Sequence, residues 1–171
     1  GTIYSVQGTI ELDDLVNHGK VSVSQDYVGG IVGVVYGYTG TSVNITKSRN
    51  VGDITGKNKV GGIVGGVYNY NSAFPSLSIN GVDNWIQDTT ENISTTPDNT
   101  GIISGDSYVG GIVGENIGGT IEGVTNTGTI SGSASVGGIV GEIKNNARVY
   151  ETVNTGKVNG TSDKIGGIAG Y

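Results

Sequence analysis

Two glutamates, Glu115 and Glu142, each directly follow a copy of one glycine-rich phrase. If equivalent residues of neighbouring repeats stack, their carboxylates stand one strand spacing apart, ~4.8 Å. That is close to the ~5–5.5 Å of a retaining glycosidase pair. The equivalent positions of earlier repeats hold Val34 and Gly66, so no acidic groove develops along the repeats. Other hydrolytic chemistry has few candidates. His18 is the only histidine, and there is no cysteine. A zinc centre needs nitrogen or sulfur ligands around an open position, and no HExxH occurs. A Ser/His/Asp triad would have to use His18, which lies beside Asn17 at a turn. The carboxylates Asp83, Asp88, Glu91 and Asp98 offer a calcium site as one reading, and charged loop decoration is the favoured one. The glycine phrases are not phosphate loops, because neither GK[ST] nor a helix follows them. We expect no catalytic residue, no metal and no cofactor here.

Aromatic spacing gives a positive signal. Tyr36 and Tyr38 follow one glycine phrase by three and five residues, and Tyr68 and Tyr70 follow the next at the same offsets. Stacked repeats would arrange them in two short columns, with Trp85 supplied by a nearby insertion. Tyr36, Tyr38, Tyr68, Tyr70 and Trp85 are the candidate ligand-binding residues. Exposed aromatic side chains with polar neighbours can receive sugar rings or protein partners. The plainer reading is a tyrosine edge that shields the core.

What must position these residues is a repeat. The phrase VGGIVG occurs at Val28–Gly33, Val60–Gly65, Val109–Gly114 and Val136–Gly141, and IGGIAG occurs at Ile165–Gly170. Asn-x-Gly precedes each copy by 10 or 11 residues, at Asn17, Asn50, Asn99, Asn126 and Asn154. Self-similarity held in register is the signature of a repeat architecture. Glycine makes up 33 of 171 residues, far above the usual ~7%, without the every-third-residue order of collagen.

One unit, Gly119–Gly141, holds three short β-branched stretches bounded by turn residues. They are Thr120–Val124, the run around Ile130, and Val136–Val140. Each reads as strand and none reaches helix length. Three such strands cannot form a stable sheet alone, but each can pair in parallel with its counterpart in the next repeat. The expected fold is therefore all-β: a parallel β-solenoid (β-helix) of about five coils, with three short strands per coil. Asn and Gly suit its corners.

Three inward columns follow from vertical alignment. Val21, Ile54, Ile103, Ile130 and Val158 form the first. Leu12, Ile45, Ile121 and Val149 form the second. Ile31, Ile63, Ile112, Ile139 and Ile168 form the third. The corner asparagines can stack their amides in a ladder or serve turn geometry alone. Spacings between glycine phrases are 32, 49, 27 and 29 residues. The long one is explained if Asn84 also occupies a corner, which makes 85–98 a loop insertion there. The whole of 1–171 then reads as one solenoid domain, excised from a longer chain.

The phrase VGGIVG, its IGGIAG variant and the upstream Asn-x-Gly resemble the GLUG repeat (Gly-Gly-Leu/Ile-Val-Gly) over nearly the whole chain except 85–98. That resemblance implies a bacterial cell-surface or secreted setting, as in adhesins and the accessory regions of immunoglobulin A metallopeptidases. It implies no activity for this segment. The expected function is a non-catalytic structural or adhesive segment, displaying loops toward a host glycan or an extracellular-matrix protein. The alternative is a carbohydrate-binding module using the tyrosines and the Trp85 loop. A net charge of −6 argues against a nucleic-acid groove. No apolar run is long enough for a membrane helix. Unpaired strand edges at both ends favour end-to-end self-association.

Overall fold

Short β-branched runs between turn residues leave every strand edge unpaired within its own repeat, so the pairing partner is the next repeat. The computed structural model describes residues 1–5, 7–38, 40–69, 76–80, 83–84 and 101–171. Among the described residues, twenty-five strands form five parallel five-stranded sheets, and each sheet takes one strand from each of five coils. The chain is a parallel β-solenoid.

The first face stacks Thr2–Ser5, Val32–Gly37, Val64–Asn69, Val113–Ile117 and Val140–Lys144. The second stacks Gly8–Asp13, Thr41–Thr46, Ser76–Asn80, Thr120–Glu122 and Arg148–Tyr150. The third is the asparagine corner: Val16–Asn17, Arg49–Asn50, Asp83–Asn84, Thr125–Asn126 and Val153–Asn154. The fourth comprises Val21–Ser22, Ile54–Thr55, Ile103–Ser104, Ile130–Gly132 and Val158–Gly160. The fifth comprises Val28–Gly29, Asn58–Gly61, Ser107–Gly110, Ala134–Gly137 and Ile165–Gly166.

The expectation of three strands per coil is corrected to five. Two causes account for the extra strands. The asparagine corner pairs as a short strand of its own, as in Thr125–Asn126. The glycine phrase is divided by its Gly-Gly turn, so Ala134–Gly137 ends one strand and Val140–Lys144 begins another. At that turn a Cβ on Gly137 would run into the Val140 carbonyl oxygen. No side chain fits so sharp a reversal.

The inward columns form as expected. Val21, Ile54, Ile103, Ile130 and Val158 pair in succession. Leu12, Ile45, Ile79, Ile121 and Val149 do the same, with Ile79 supplying the missing coil. The third column is tied by backbone bonds: the N–H of Ile31, Ile63, Ile112 and Ile139 each donates to the carbonyl of its counterpart one coil on. Interior members of these columns are fully buried, each stabilising the fold by roughly 1.5–3 kcal/mol.

The core has two parts. One packs Ile54, Ile103 and Ile130 against Val28, Val60, Val109 and Val136 between the fourth and fifth faces. The other fills the space behind the first and second faces. The chain leaves the third face at Asn84 and re-enters on the fourth at Ile103. The proposed insertion at 85–98 lies outside the described residues.

The residue before each glycine phrase has a left-handed backbone: Tyr27 (φ 59°), Lys59 (56°), Tyr108 (57°), Ser135 (52°) and Lys164 (60°). Each costs roughly 1–2 kcal/mol relative to a right-handed residue. The observed contacts carry the side chains of Tyr27, Lys59 and Tyr108 over the outer surface of the first face.

Candidate functional site

The outward positions of the first face hold the chemistry. Along one register run Tyr4, Tyr36 and Tyr68. Tyr36 and Tyr68 stack with ring centroids 4.7 Å apart and planes 4° from parallel. Tyr4 stacks on Tyr36 at 5.3 Å and 27°. Aromatic pairing of this kind adds ~0.5–1.5 kcal/mol beyond area burial. Two rings meet this stack edge-on: Tyr38 against Tyr4 at 6.5 Å and Tyr27 against Tyr68 at 6.1 Å. Thr2, Tyr4, Val34, Tyr36 and Tyr38 line a shallow groove of about 440 Å³.

The structure thus brings Tyr36 and Tyr68 together and places Tyr38 edge-on to Tyr4. Tyr70 and Trp85 lie outside the described residues. Tyr4 was not among the residues singled out from the sequence. Its signal is the interval: Tyr4, Tyr36 and Tyr68 are each 32 residues apart, the spacing of the first two glycine phrases. With no glycine phrase ahead of it, Tyr4 has no local landmark.

Beside the tyrosines, the next outward register holds Val34, Gly66, Glu115 and Glu142. The two glutamates do stack one coil apart, and both are 3% exposed. Lysines cover them. The Lys59 ammonium is 2.8 Å from Glu115 Oε2, while Lys144 Nζ lies 3.3 Å from Glu115 Oε1 and 2.7 Å from Glu142 Oε2. Lys59 also donates to the Tyr27 hydroxyl and sits 4.3 Å over the Tyr27 ring. Burial pulls the Lys59 ammonium down, but the Glu115 carboxylate and the Tyr27 hydroxyl outweigh it, so its pKa lies above the ordinary value. Lys144 behaves alike: burial lowers it, and Glu142 with Glu115 raises it further.

The result is a charge-balanced chain, Lys59–Glu115–Lys144–Glu142. Both carboxylates are closed from solvent and ion-paired, whereas a retaining pair needs one acid and one nucleophile facing an open cleft. Elsewhere on the outer surface, coil-to-coil polar bonds recur. Asn44 donates to Glu11, Thr46 to Asp13, Asn58 to Asp26, and Tyr150 to Glu122. His18 is exposed. Among the described residues no three His, Cys, Asp or Glu side chains group as metal ligands.

The asparagine corner combines both readings made of it. Asn17 Nδ2 donates to Asn50 Oδ1 at 2.7 Å, and Asn126 Nδ2 donates to Asn154 Oδ1 at 2.8 Å. Each also closes its own turn. Gly128 N–H donates to Asn126 Oδ1 at 3.2 Å, and Asn126 Nδ2 donates back to Gly128 O at 3.1 Å. Asn50 and Asn126 are fully buried, so these bonds satisfy groups that would otherwise be costly. Asn84 keeps the register through its backbone.

Parallel coils, an internal asparagine ladder and a glycine turn in every coil define a β-solenoid built from one repeated unit. A family model for the GLUG motif matches residues 105–131, so that stretch carries a GLUG repeat. The matched stretch is one circuit of the solenoid, from the turn before one glycine phrase to the fourth face of the next coil. No curated protein and no solved structure matches the chain.

Proposed function

We propose that this chain is a non-catalytic structural segment of a bacterial surface or secreted protein, a short stiff stack that holds loops outward for host or matrix contact. The observation that supports this reading is how the outer side chains are used. From Glu11–Asn44 through Lys59–Glu115 to Glu122–Tyr150, they bond one coil to the next. Such a surface stiffens a rod. Recognition then falls to the loops, and the insertion at 85–98 is the largest interruption of the repeat in the sequence.

The carbohydrate-binding reading is favoured by one feature, the groove where Tyr38 meets Tyr4. It is limited by another. A pyranose stacks on a ring face, and the faces of Tyr36 lie against Tyr4 and Tyr68. The middle of the column offers edges and hydroxyls instead. End-to-end stacking of separate chains belongs to the same proposal, since the outer coils carry the registers that already join neighbours inside the stack.

Arrays of glycans and matrix proteins test the reading. We expect binding by the whole chain that is lost when 85–98 is replaced by a short Gly/Ser link, with the β-sheet circular dichroism kept. Binding unaffected by that replacement but lost in a Tyr4→Ala/Tyr36→Ala double variant would favour the carbohydrate module. Release of reducing ends from a polysaccharide would overturn both.

A further inference from the structure

We propose that the tyrosine column is a site of oxidative cross-linking, in which Tyr36 and Tyr68 couple to an intramolecular dityrosine that staples two coils together. The two phenols sit on neighbouring parallel strands in the same register. Their ring centroids are 4.7 Å apart and their planes lie 4° from parallel, so a small swing of the side chains brings a carbon ortho to one hydroxyl against its counterpart. Tyr4 extends the column by one ring at 5.3 Å. Tyr68 is 40% exposed and Tyr4 57% exposed, so a diffusible oxidant reaches both ends of the stack. The chain has no cysteine and no methionine. The side chains that ordinarily take up oxidising equivalents first are therefore absent, which leaves the phenols and the one tryptophan.

The chemistry balances with hydrogen peroxide as the oxidant, delivered through a haem peroxidase. Each phenol gives up one electron and one proton, leaving two phenoxyl radicals. A carbon–carbon bond forms between the ring carbons ortho to the two oxygens. The hydrogens on those carbons then move to the oxygens and restore both aromatic rings. Two tyrosines and one peroxide become one dityrosine and two waters. Holding both radicals in contact makes the coupling effectively unimolecular, so it outpaces coupling between separate chains at low protein concentration. The product joins positions 32 residues apart in sequence, across an interface that otherwise depends on non-covalent stacking.

The test treats the full chain, dilute and folded, with peroxidase and hydrogen peroxide. Dityrosine fluorescence, gel mobility and peptide mass mapping are read together. We expect a monomeric product lighter by two hydrogen atoms, with the Tyr36 and Tyr68 peptides joined as the main species. Tyr68→Phe keeps the ring and the stack but lacks the phenol. It should abolish that product and leave a lower yield of the Tyr4–Tyr36 link. The same treatment in urea should give no preference for Tyr36–Tyr68. Overturning results are a folded chain that forms no dityrosine, one that couples only between molecules, or one in which Tyr150 and Tyr171 link as readily as the stacked pair.

Discussion

A side chain at Gly111 would collide with Asn126: a Cβ built there lies 2.5 Å from Asn126 Cγ and also strikes the Gly138 carbonyl oxygen. The same meeting recurs between Gly30 and Asn50 and between Gly138 and Asn154. The two phrases that repeat in the sequence are thus two halves of one contact. In these three phrases the second glycine makes room for the asparagine of the following coil, and Asn126 bonds onward to Asn154.

Replacing Gly111 by alanine should therefore destabilise the fold by roughly 3 kcal/mol, at the upper end for overpacking, because the obstacles are backbone and a hydrogen-bonded amide. Gly167 holds the same place in the last phrase, yet nothing lies within 4 Å of its missing Cβ. Gly167→Ala should change stability by less than about 0.5 kcal/mol. Urea titrations of both variants make the comparison. Equal effects would show that the glycines serve backbone freedom alone.

Asn126→Ala should cost about 3 kcal/mol, since it leaves Gly128 N–H, Gly128 O and Asn154 Oδ1 without their partner in a buried site. Asn17→Ala, at a more exposed rung, should cost about 1 kcal/mol. A double-mutant cycle on Asn126 and Asn154 should return a coupling of at least about 0.5 kcal/mol. No coupling would reduce the asparagines to independent turn residues.

Glu115→Gln should destabilise by about 2 kcal/mol at neutral pH, a figure reduced from the fully buried case because Lys144 is partly exposed. The pH dependence has a definite sign. Lys59 and Lys144 have folded-state pKa values above the ordinary 10.5. Their contribution is complete below that value and disappears as pH rises through the raised values. The stability gap between the wild type and Glu115→Gln should hold from neutral pH to about 10 and narrow above 10.5. Denaturant titrations across that range supply the readout, and a gap that widens with alkalinity would contradict the ion-paired chain.

Much of this was legible in the sequence, because a parallel solenoid converts sequence interval directly into vertical position. The columns through Ile54 and Ile45, the stacking of Tyr36 on Tyr68, and the pairing of Glu115 with Glu142 all follow from offsets to a recurring landmark. What escaped was lateral. That Gly111 faces Asn126 depends on how each coil folds across its own interior, which spacing does not encode. The cover of Lys59 and Tyr27 over the first face depends on a left-handed residue before each phrase, and Tyr, Lys and Ser at those positions carry no such signal. The extra strands arise because the Gly-Gly reversal breaks a run that looks continuous, as at Val136–Val140. Tyr4 lacked a landmark and was recoverable only by counting back from Tyr36.

The most direct measurement of the stacking register uses paired cysteines, since the natural chain contains none. Ser104 and Ser131 are in-register neighbours on the fourth face, and Thr55 lies one coil beyond Ser104. One coil spans ~4.8 Å, within disulfide reach, while two coils exceed the ~7 Å limit. Ser104→Cys with Ser131→Cys should oxidise to an intramolecular disulfide in the folded chain, and Thr55→Cys with Ser131→Cys should not. If the second pair closes and the first stays reduced, the coils do not stack in this register.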